Sequence, residues 1–286
     1  GDFQRDAPAT PYFCFKTPEI KYTPWNDDFG PMDAFSIMEF VTLLEKHLER
    51  HPTKHVIYIA DEGYRNLTNA ALLLGAYFIL MHEVPPEEIH SWFEFVEARG
   101  FGEYIDSSPD PNDFRITLLD CWRGLDRART LRWFCKPDSS GSGEWGTVDP
   151  VSYAHYDNPL NGNLHVVIPG RMIAFHGPVH LSGSREYEDD PDTGHRSFSP
   201  RFYTDILLEH GVSTVVRLNQ RYYDERVFQS AGLHHVDLPF PDGEPPPGDV
   251  VGAFFGAVDA ADGLVAVHCS SGLGRTGTMA ALWLIR

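Results

Sequence analysis

The chain has 286 residues and a mass of 32.3 kDa, about two domains' worth by length, though one large domain is not excluded. Lys and Arg number 23 against 41 Asp and Glu, a formal net charge of −18. That balance argues against nucleic acid and against an anionic membrane surface, and it fits a partner with basic side chains.

An apolar content of 42% with 13% aromatics is enough for sizeable cores. The four cysteines, Cys14, Cys121, Cys135 and Cys269, are too few and scattered for a disulfide framework or a clustered zinc site. A reducing compartment with a chemically free thiol is the expectation. The longest apolar stretch, Asn69 to Met81, falls short of the roughly 20 residues a membrane span needs. The chain opens on Gly1 and stops at Arg286 behind the apolar run Met279–Ile285; both ends read as cut.

In chain order, Met32 to Arg50 carries apolar residues at helical spacing. His55 to Ala60 reads as a buried strand, and a loop from Asp61 to Leu67 leads into an apolar helix at Thr68–His82. Pro86-Glu-Glu opens a further helix, with proline and acids where a first turn favours them. Asp113–Phe134 reads as helical too, and this alternation points to an α/β layer arrangement. From Lys136 to Asn163 the composition turns to linker chemistry, including Ser139-Ser-Gly-Ser-Gly. The expected division is a first domain over 1–145, a linker over 146–164 and a second domain over 165–286.

The second half predicts strands at His165–Pro169 and Arg171–Phe175, joined by a Pro169-Gly170 turn. Strands are also expected at Ser213–Arg217, His234–Leu238 and Leu264–Val267. Helices are expected at Pro200–His210, Asp224–Ala231, Asp249–Ala261 with Asp249 as N-cap, and from Thr276 onward. The acidic stretch Ser182–Thr193 reads as an exposed, solvated loop. A weak internal repeat is visible at a shift of 210 residues: Arg65 falls on Arg275 and Ile59 on Cys269.

The most specific signal is Val267-His-Cys-Ser-Ser-Gly-Leu-Gly-Arg-Thr-Gly-Thr278. A glycine-containing turn after a strand can aim successive backbone N–H groups inward and form an anion nest, and the helix behind it adds its positive end. Ser270, Ser271, Gly272, Leu273 and Gly274 are therefore expected to cradle a phosphoryl group. Arg275 supplies a planar fork for two of its oxygens. The same potential lowers the Cys269 thiol below its usual ~8.5, giving a thiolate nucleophile. His268 is expected to orient the loop, and the Thr276 hydroxyl to stabilise the thiolate as it leaves. A nucleotide-binding loop is excluded, because no Lys-Ser or Lys-Thr pair follows the last glycine.

Displacing an alkoxide requires an acid on the leaving oxygen. Asp242, on the Pro- and Gly-rich loop 239–248, is the candidate, since a closing loop would exclude water and complete the site. Asp237 in a strand and Asp249 at a helix start are weaker candidates, and Glu244 is auxiliary. The histidines show no metal-ligand spacing, His234-His235 reads as structural, and neither metal nor cofactor is expected.

The Cys269 loop resembles those of protein tyrosine and dual-specificity phosphatases. Several further segments narrow the resemblance: Asp28-Phe-Gly-Pro-Met, Asn69-Ala-Ala-Leu-Leu-Leu-Gly-Ala-Tyr, Thr117-Leu-Leu-Asp-Cys, Val167-Ile-Pro-Gly-Arg, Ala174-Phe-His-Gly-Pro, Val215-Val-Arg-Leu-Asn and Arg226-Val-Phe-Gln-Ser-Ala-Gly. Their order, from about residue 12 to the end, is similar to that of the cell-division-cycle-fourteen phosphatases. The resemblance implies two tandem phosphatase-like domains, each a central sheet flanked by helices. The first lacks catalytic residues; the second carries nucleophile Cys269, phosphate-binding Arg275 and acid Asp242 and is expected to be truncated after the loop's helix. It also implies phosphoserine-proline substrates with a basic residue a few positions later, as left by cyclin-dependent kinases, read by an acidic groove for which Asp28 and Asp157 are candidates. A nuclear or cytoplasmic location follows from the same resemblance. Ser270-Ser271 stand where the family usually has Lys-Ala, and Tyr153-Ala-His-Tyr-Asp157 where it has more glutamates. Phosphotyrosine preference and a non-catalytic phosphoprotein-binding module are the alternatives.

Overall fold

The computed structural model describes residues 11–24, 28–97, 100–105, 115–137 and 143–286. They fall into two compact units, Gly1–Pro150 and Val151–Arg286. Asp113, the expected start of one helix, and the Ser139-Ser-Gly stretch of the expected linker lie outside the described residues.

In the first unit β1 (Tyr12–Phe15) pairs in parallel with β2 (His55–Tyr58), Tyr12 opposite His55 and Phe15 opposite Tyr58. Between them runs α1 (Ala34–Arg50), started by Asp33, whose carboxylate accepts from the Ser36 N–H at 2.7 Å. Its spaced Ile37, Met38, Phe40, Val41 and Leu44 are buried, as an amphipathic face requires. After β2 comes α2 (Tyr64–His82), which begins earlier than the expected Thr68. Tyr64-Arg-Asn carries no apolar period to betray a helix, yet Gly63 at φ +105° starts it and the Tyr64 carbonyl is taken up by the Thr68 hydroxyl at 2.7 Å. Helix α2 is buried on most of its surface, from Thr68 to Leu80, which is why its sequence reads as nearly continuous apolar residues. Around it pack α1, α3 (Pro86–Glu97) and α4 (Leu118–Thr130). A reciprocal Thr117/Asp120 capping box fixes the start of α4. Its Trp122 is fully buried, with the indole N–H donating to the Leu72 carbonyl at 3.2 Å.

Around the second unit's start, α5 (Pro150–Asp157) and a 3-10 turn (Pro159–Asn161) occupy much of the stretch 146–164. The sheet of this unit has the order β3-β4-β9-β7-β8, built from β3 (Leu164–Ile168), β4 (Met172–Phe175), β7 (Val212–Arg217), β8 (His234–Asp237) and β9 (Leu264–His268). Strands β3 and β4 form an antiparallel hairpin; all other neighbours are parallel. Strands β7 and β9 lie inside the sheet and are buried along most of their length, as central parallel strands are. The acidic stretch is not wholly a loop. Its β5 (Tyr187–Asp189) pairs antiparallel with β6 (Arg196–Phe198), and Arg196 holds Asp189 at 2.6 and 2.8 Å; cross-strand charge pairing stabilises a hairpin that apolar periodicity does not mark. Helices α6 (Pro200–Glu209), α7 (Arg226–Ser230), α8 (Gly248–Ala260) and α9 (Gly274–Ile285) complete the unit. Pro247 occupies the cap position of α8, so Asp249 lies in the first turn rather than at the N-cap. No helix among the described residues is long and apolar enough to cross a membrane.

Candidate active site

The residues of the Cys269 motif sit where β9 ends and α9 begins. Strand β9 is paired on both sides, Ala174 opposite Val267 and Arg217 opposite His268. Its loop therefore emerges at the carboxyl ends of parallel strands, where open α/β sheets hold their ligands. Helix α9 starts at Gly274, so Arg275 and Thr276 lie in its first turn. Both are buried, as are Cys269 and His268.

Two glycines let the loop fit. Gly272 has φ +77°, a left-handed conformation that side chains resist, and a Cβ there would lie 2.3 Å from the Phe175 carbonyl oxygen. Gly177, beyond β4, donates its N–H to the Ser270 carbonyl at 2.9 Å. A Cβ on Gly177 would lie 2.0 Å from the Cys269 carbonyl oxygen. The His268 carbonyl is taken up by the Leu218 N–H at 2.9 Å. The carbonyls at this turn are thus engaged by the surrounding structure, which leaves amide N–H groups for an anion.

Arg275 bends back toward the loop. Its Nη1 donates to the Phe240 carbonyl at 3.1 Å, and its Nη2 to Ser270 Oγ at 3.3 Å. Asp242 Oδ1 lies 3.3 Å from Arg275 Nε. Arg275 Nε makes no hydrogen bond, so the contact is an ion pair. Burial pushes the Cys269 thiol up, but the Thr276 hydroxyl, the Thr276 and Gly272 backbone N–H groups and the Arg275 charge outweigh it and bring the thiol below its ordinary value. Thr276 Oγ1 is buried with no geometrically satisfied partner, a donor available to a sulfur anion. His268 is held neutral at about 3 by complete burial, partly offset by its contact with the Cys269 carbonyl.

Of the other expected residues, Leu273 caps α9 and is exposed, and Glu244 is exposed on the Asp242 loop. Asp237 is engaged away from the Cys269 loop, bidentate to Arg217 at 2.6 and 2.9 Å. Asp28 belongs to the first unit and accepts from the Tyr22 hydroxyl; Asp157 belongs to the second and lies 3.2 Å from His165 Nε2. In the first unit a cavity of about 570 Å³ is lined by Lys16, Tyr22, Ile59, Asp61, Arg65 and Asn69 among others; Ile59 is the residue that the shift of 210 lays on Cys269. Among the described residues no group of three or more His, Cys, Asp or Glu is placed to hold a metal. Sequence reasoning missed Gly177 and the carbonyl of Phe240. A carbonyl's role leaves no trace in side-chain type; Gly177, within His176-Gly-Pro, was open to suspicion as a close approach.

A family model described as dual specificity protein phosphatase, N-terminal half, matches residues 2–128. Another, described as polymorphic toxin system, DSP-PTPase phosphatase, matches residues 197–286. The dual specificity protein phosphatase CDC14C of Homo sapiens is 31% identical over 284 residues, covering 99% of this chain and 60% of its own length. CDC14B of Mus musculus is 31% identical over 270 residues, covering 94% and 52%. The tyrosine-protein phosphatase cdc-14 of Caenorhabditis elegans is 32% identical over 275 residues, covering 94% and 36%. The chain therefore spans less than two thirds of the length of these relatives. Similarity runs along nearly all of this chain, with an N-terminal-half match ahead of a phosphatase match: the chain is similar throughout to the Cdc14 dual-specificity protein phosphatases.

Proposed function

We propose that this chain is a cysteine-dependent protein phosphatase. The observation that carries the reading is a buried thiol drawn below its ordinary value in front of Arg275. In the proposed reaction the loop N–H groups and the Arg275 fork bind the phosphoryl oxygens of a phosphomonoester. The Cys269 thiolate attacks phosphorus; the sulfur–phosphorus bond forms as the phosphorus–oxygen bond to the substrate breaks. Asp242 donates its proton to the leaving oxygen. Water then cleaves the phosphocysteine, releasing inorganic phosphate and the thiolate, which the Thr276 hydroxyl stabilises.

The relatives' names, dual specificity and tyrosine-protein phosphatase, support phosphorylated proteins as substrates. The net charge of −18 supports selection of a basic residue after a phosphoserine-proline site, with Asp28 and Asp157 as groove acids, and hence a role in reversing cyclin-dependent kinase phosphorylation in the nucleus or cytoplasm. A second reading, phosphotyrosine preference, is favoured by Ser270 receiving the Arg275 Nη2 hydrogen bond where the family usually has lysine.

Turnover of phosphoserine-proline and phosphotyrosine peptides by the full chain and by Cys269→Ser tests both. Turnover abolished in Cys269→Ser and blocked by vanadate is expected; activity surviving that substitution refutes the mechanism. A peptide panel in which phosphotyrosine leads by an order of magnitude would select the second reading.

A further inference from the structure

The Cys269 carbonyl faces two demands. It must point away from the anion, because a carbonyl dipole turned inward opposes a thiolate and a phosphoryl group. Being buried, it must also find a donor. The donor is His268: Nδ1 lies 2.9 Å from the carbonyl oxygen. On its other side, His268 Nε2 lies 2.8 Å from the hydroxyl of Tyr223, a buried residue between β7 and α7. The same hydroxyl lies 2.9 Å from Nε2 of His235 on β8.

The direction of every hydrogen bond in this chain follows from elementary accounting. A carbonyl only accepts, so His268 Nδ1 carries the proton. His268 is neutral at about 3 through burial, so its Nε2 has a lone pair and accepts from the Tyr223 O–H. Tyr223 has one proton and has spent it there, so its oxygen accepts from His235 Nε2–H. Reversing Tyr223 would present the Nδ1 lone pair of His268 to the Cys269 carbonyl and leave that oxygen without a donor.

We propose that Tyr223 and His235 are positioning residues for the Cys269 loop: the one-way chain His235 Nε2–H to Tyr223 Oη, Tyr223 O–H to His268 Nε2, and His268 Nδ1–H to the Cys269 carbonyl locks the His268 tautomer and holds that carbonyl out of the anion cradle. The chain is itself clamped. Arg217, only 1% exposed, donates from Nη1 to the Tyr223 carbonyl at 2.9 Å and lies 4.5 Å over the Tyr223 ring. Its Nε and Nη2 are occupied by Asp237. Further charged or titratable groups facing the two histidines are Glu225, Arg221 and His176. Protonation of His235 leaves its Nε2–H in place, so the direction of the chain survives acidification; burial in any case holds His235 near 4.

The inference deepens the phosphatase reading of this site, and its test needs no turnover. Nitrogen-15 NMR of ring-labelled histidines in the full chain reads the His268 tautomer, and iodoacetamide alkylation against pH reads the Cys269 thiolate. Wild type is expected to hold the Nδ1–H form. Tyr223→Phe removes the hydroxyl that holds His268 Nε2 and is expected to raise the alkylation midpoint by about one unit, roughly a tenfold loss of thiolate below it, with the Nδ1–H form retained against the Cys269 carbonyl. His235→Phe, which takes away the donor to the Tyr223 oxygen, is expected to raise the midpoint in the same direction, and His235→Gln, whose amide N–H replaces that donor, to restore it. An Nε2–H tautomer in wild type, or an unchanged midpoint in folded Tyr223→Phe, overturns the proposal. Should Tyr223→Phe fail to fold, the His235→Phe and His235→Gln pair decides, since equal behaviour of those two also overturns it. A locked tautomer in a chain that turns over no phosphopeptide would instead defeat the activity reading and leave this inference standing.

Discussion

Asp242 Oδ1 stands 3.3 Å from Arg275 Nε, although Asp242 is 73% exposed and Arg275 only 4%. The pair joins a surface loop to the buried cation of the Cys269 site, and it brings a carboxyl group to the mouth of the loop. Folding depends little on an acid so placed, since Asp242 is itself solvated and Arg275 keeps the Phe240 carbonyl and Ser270 Oγ as partners without it.

Asp242→Asn is therefore expected to leave the unfolding midpoint nearly unchanged and to lower kcat for a phosphoserine peptide by roughly 10²–10⁴-fold, the usual worth of general acid catalysis. The loss should be much smaller for an aryl phosphate bearing an electron-withdrawing group, whose oxygen leaves without a proton. Equal losses on both esters would remove Asp242 from the acid role.

The thiol of Cys269 makes a pH prediction whose sign is fixed. Its folded-state value is lowered, so between that value and the ordinary ~8.5 of an unfolded thiol the folded chain has released a proton that the unfolded chain still holds. Stability relative to Cys269→Ser should rise with pH through that window, be fully present above the unfolded value and vanish as pH falls through the folded one. Thr276→Ala, which removes the hydroxyl that lowers the thiol, should narrow the window. Denaturant titrations of the three chains between pH 4 and 9 check this.

Gly177→Ala tests the loop from outside the motif. The added methyl would meet the Cys269 carbonyl oxygen at 2.0 Å, and backbone on both sides cannot yield as a flexible side chain would. We expect kcat/KM to fall by roughly 10²-fold, as a displacement of about 1 Å in a catalytic group does, with secondary structure retained by circular dichroism. Near-normal kinetics would mean that the loop tolerates movement of that carbonyl.

In the first unit Gly75 faces the indole of buried Trp122, where a Cβ would lie 2.3 Å from the ring. Gly75→Ala should destabilise by about 1–3 kcal/mol through overpacking, despite alanine's higher helix propensity. A measured gain in stability would show that Trp122 can move aside at little cost.

Arg65 and Arg275 show how much of this protein could be read before folding. Each is the second residue of its helix, α2 or α9, and each follows a loop of equal length, residues 59–63 after β2 and 269–273 after β9. The sequence already aligned them at a shift of 210, because strand, turn and helix are local structures and leave local patterns. Where a helix lacked an apolar period, as at Tyr64–Leu67, or a hairpin was written in charges, as at Tyr187–Phe198, the local pattern was silent and neighbouring segments decided the outcome.

The site divides along the same line. Cys269, its glycines, Arg275 and Thr276 are adjacent in the chain, so one strand–loop–helix segment dictates both their identity and their meeting. The tie of Gly177 to Ser270 and the hold of the Phe240 carbonyl on Arg275 join residues far apart in sequence, as does the Tyr223 bridge between His235 and His268. Only the stacking of β4, β9, β7 and β8 in one sheet brings them within hydrogen-bond range. Such contacts form between backbone atoms and between side chains with many other uses, and a string of residue types does not encode which of them will touch.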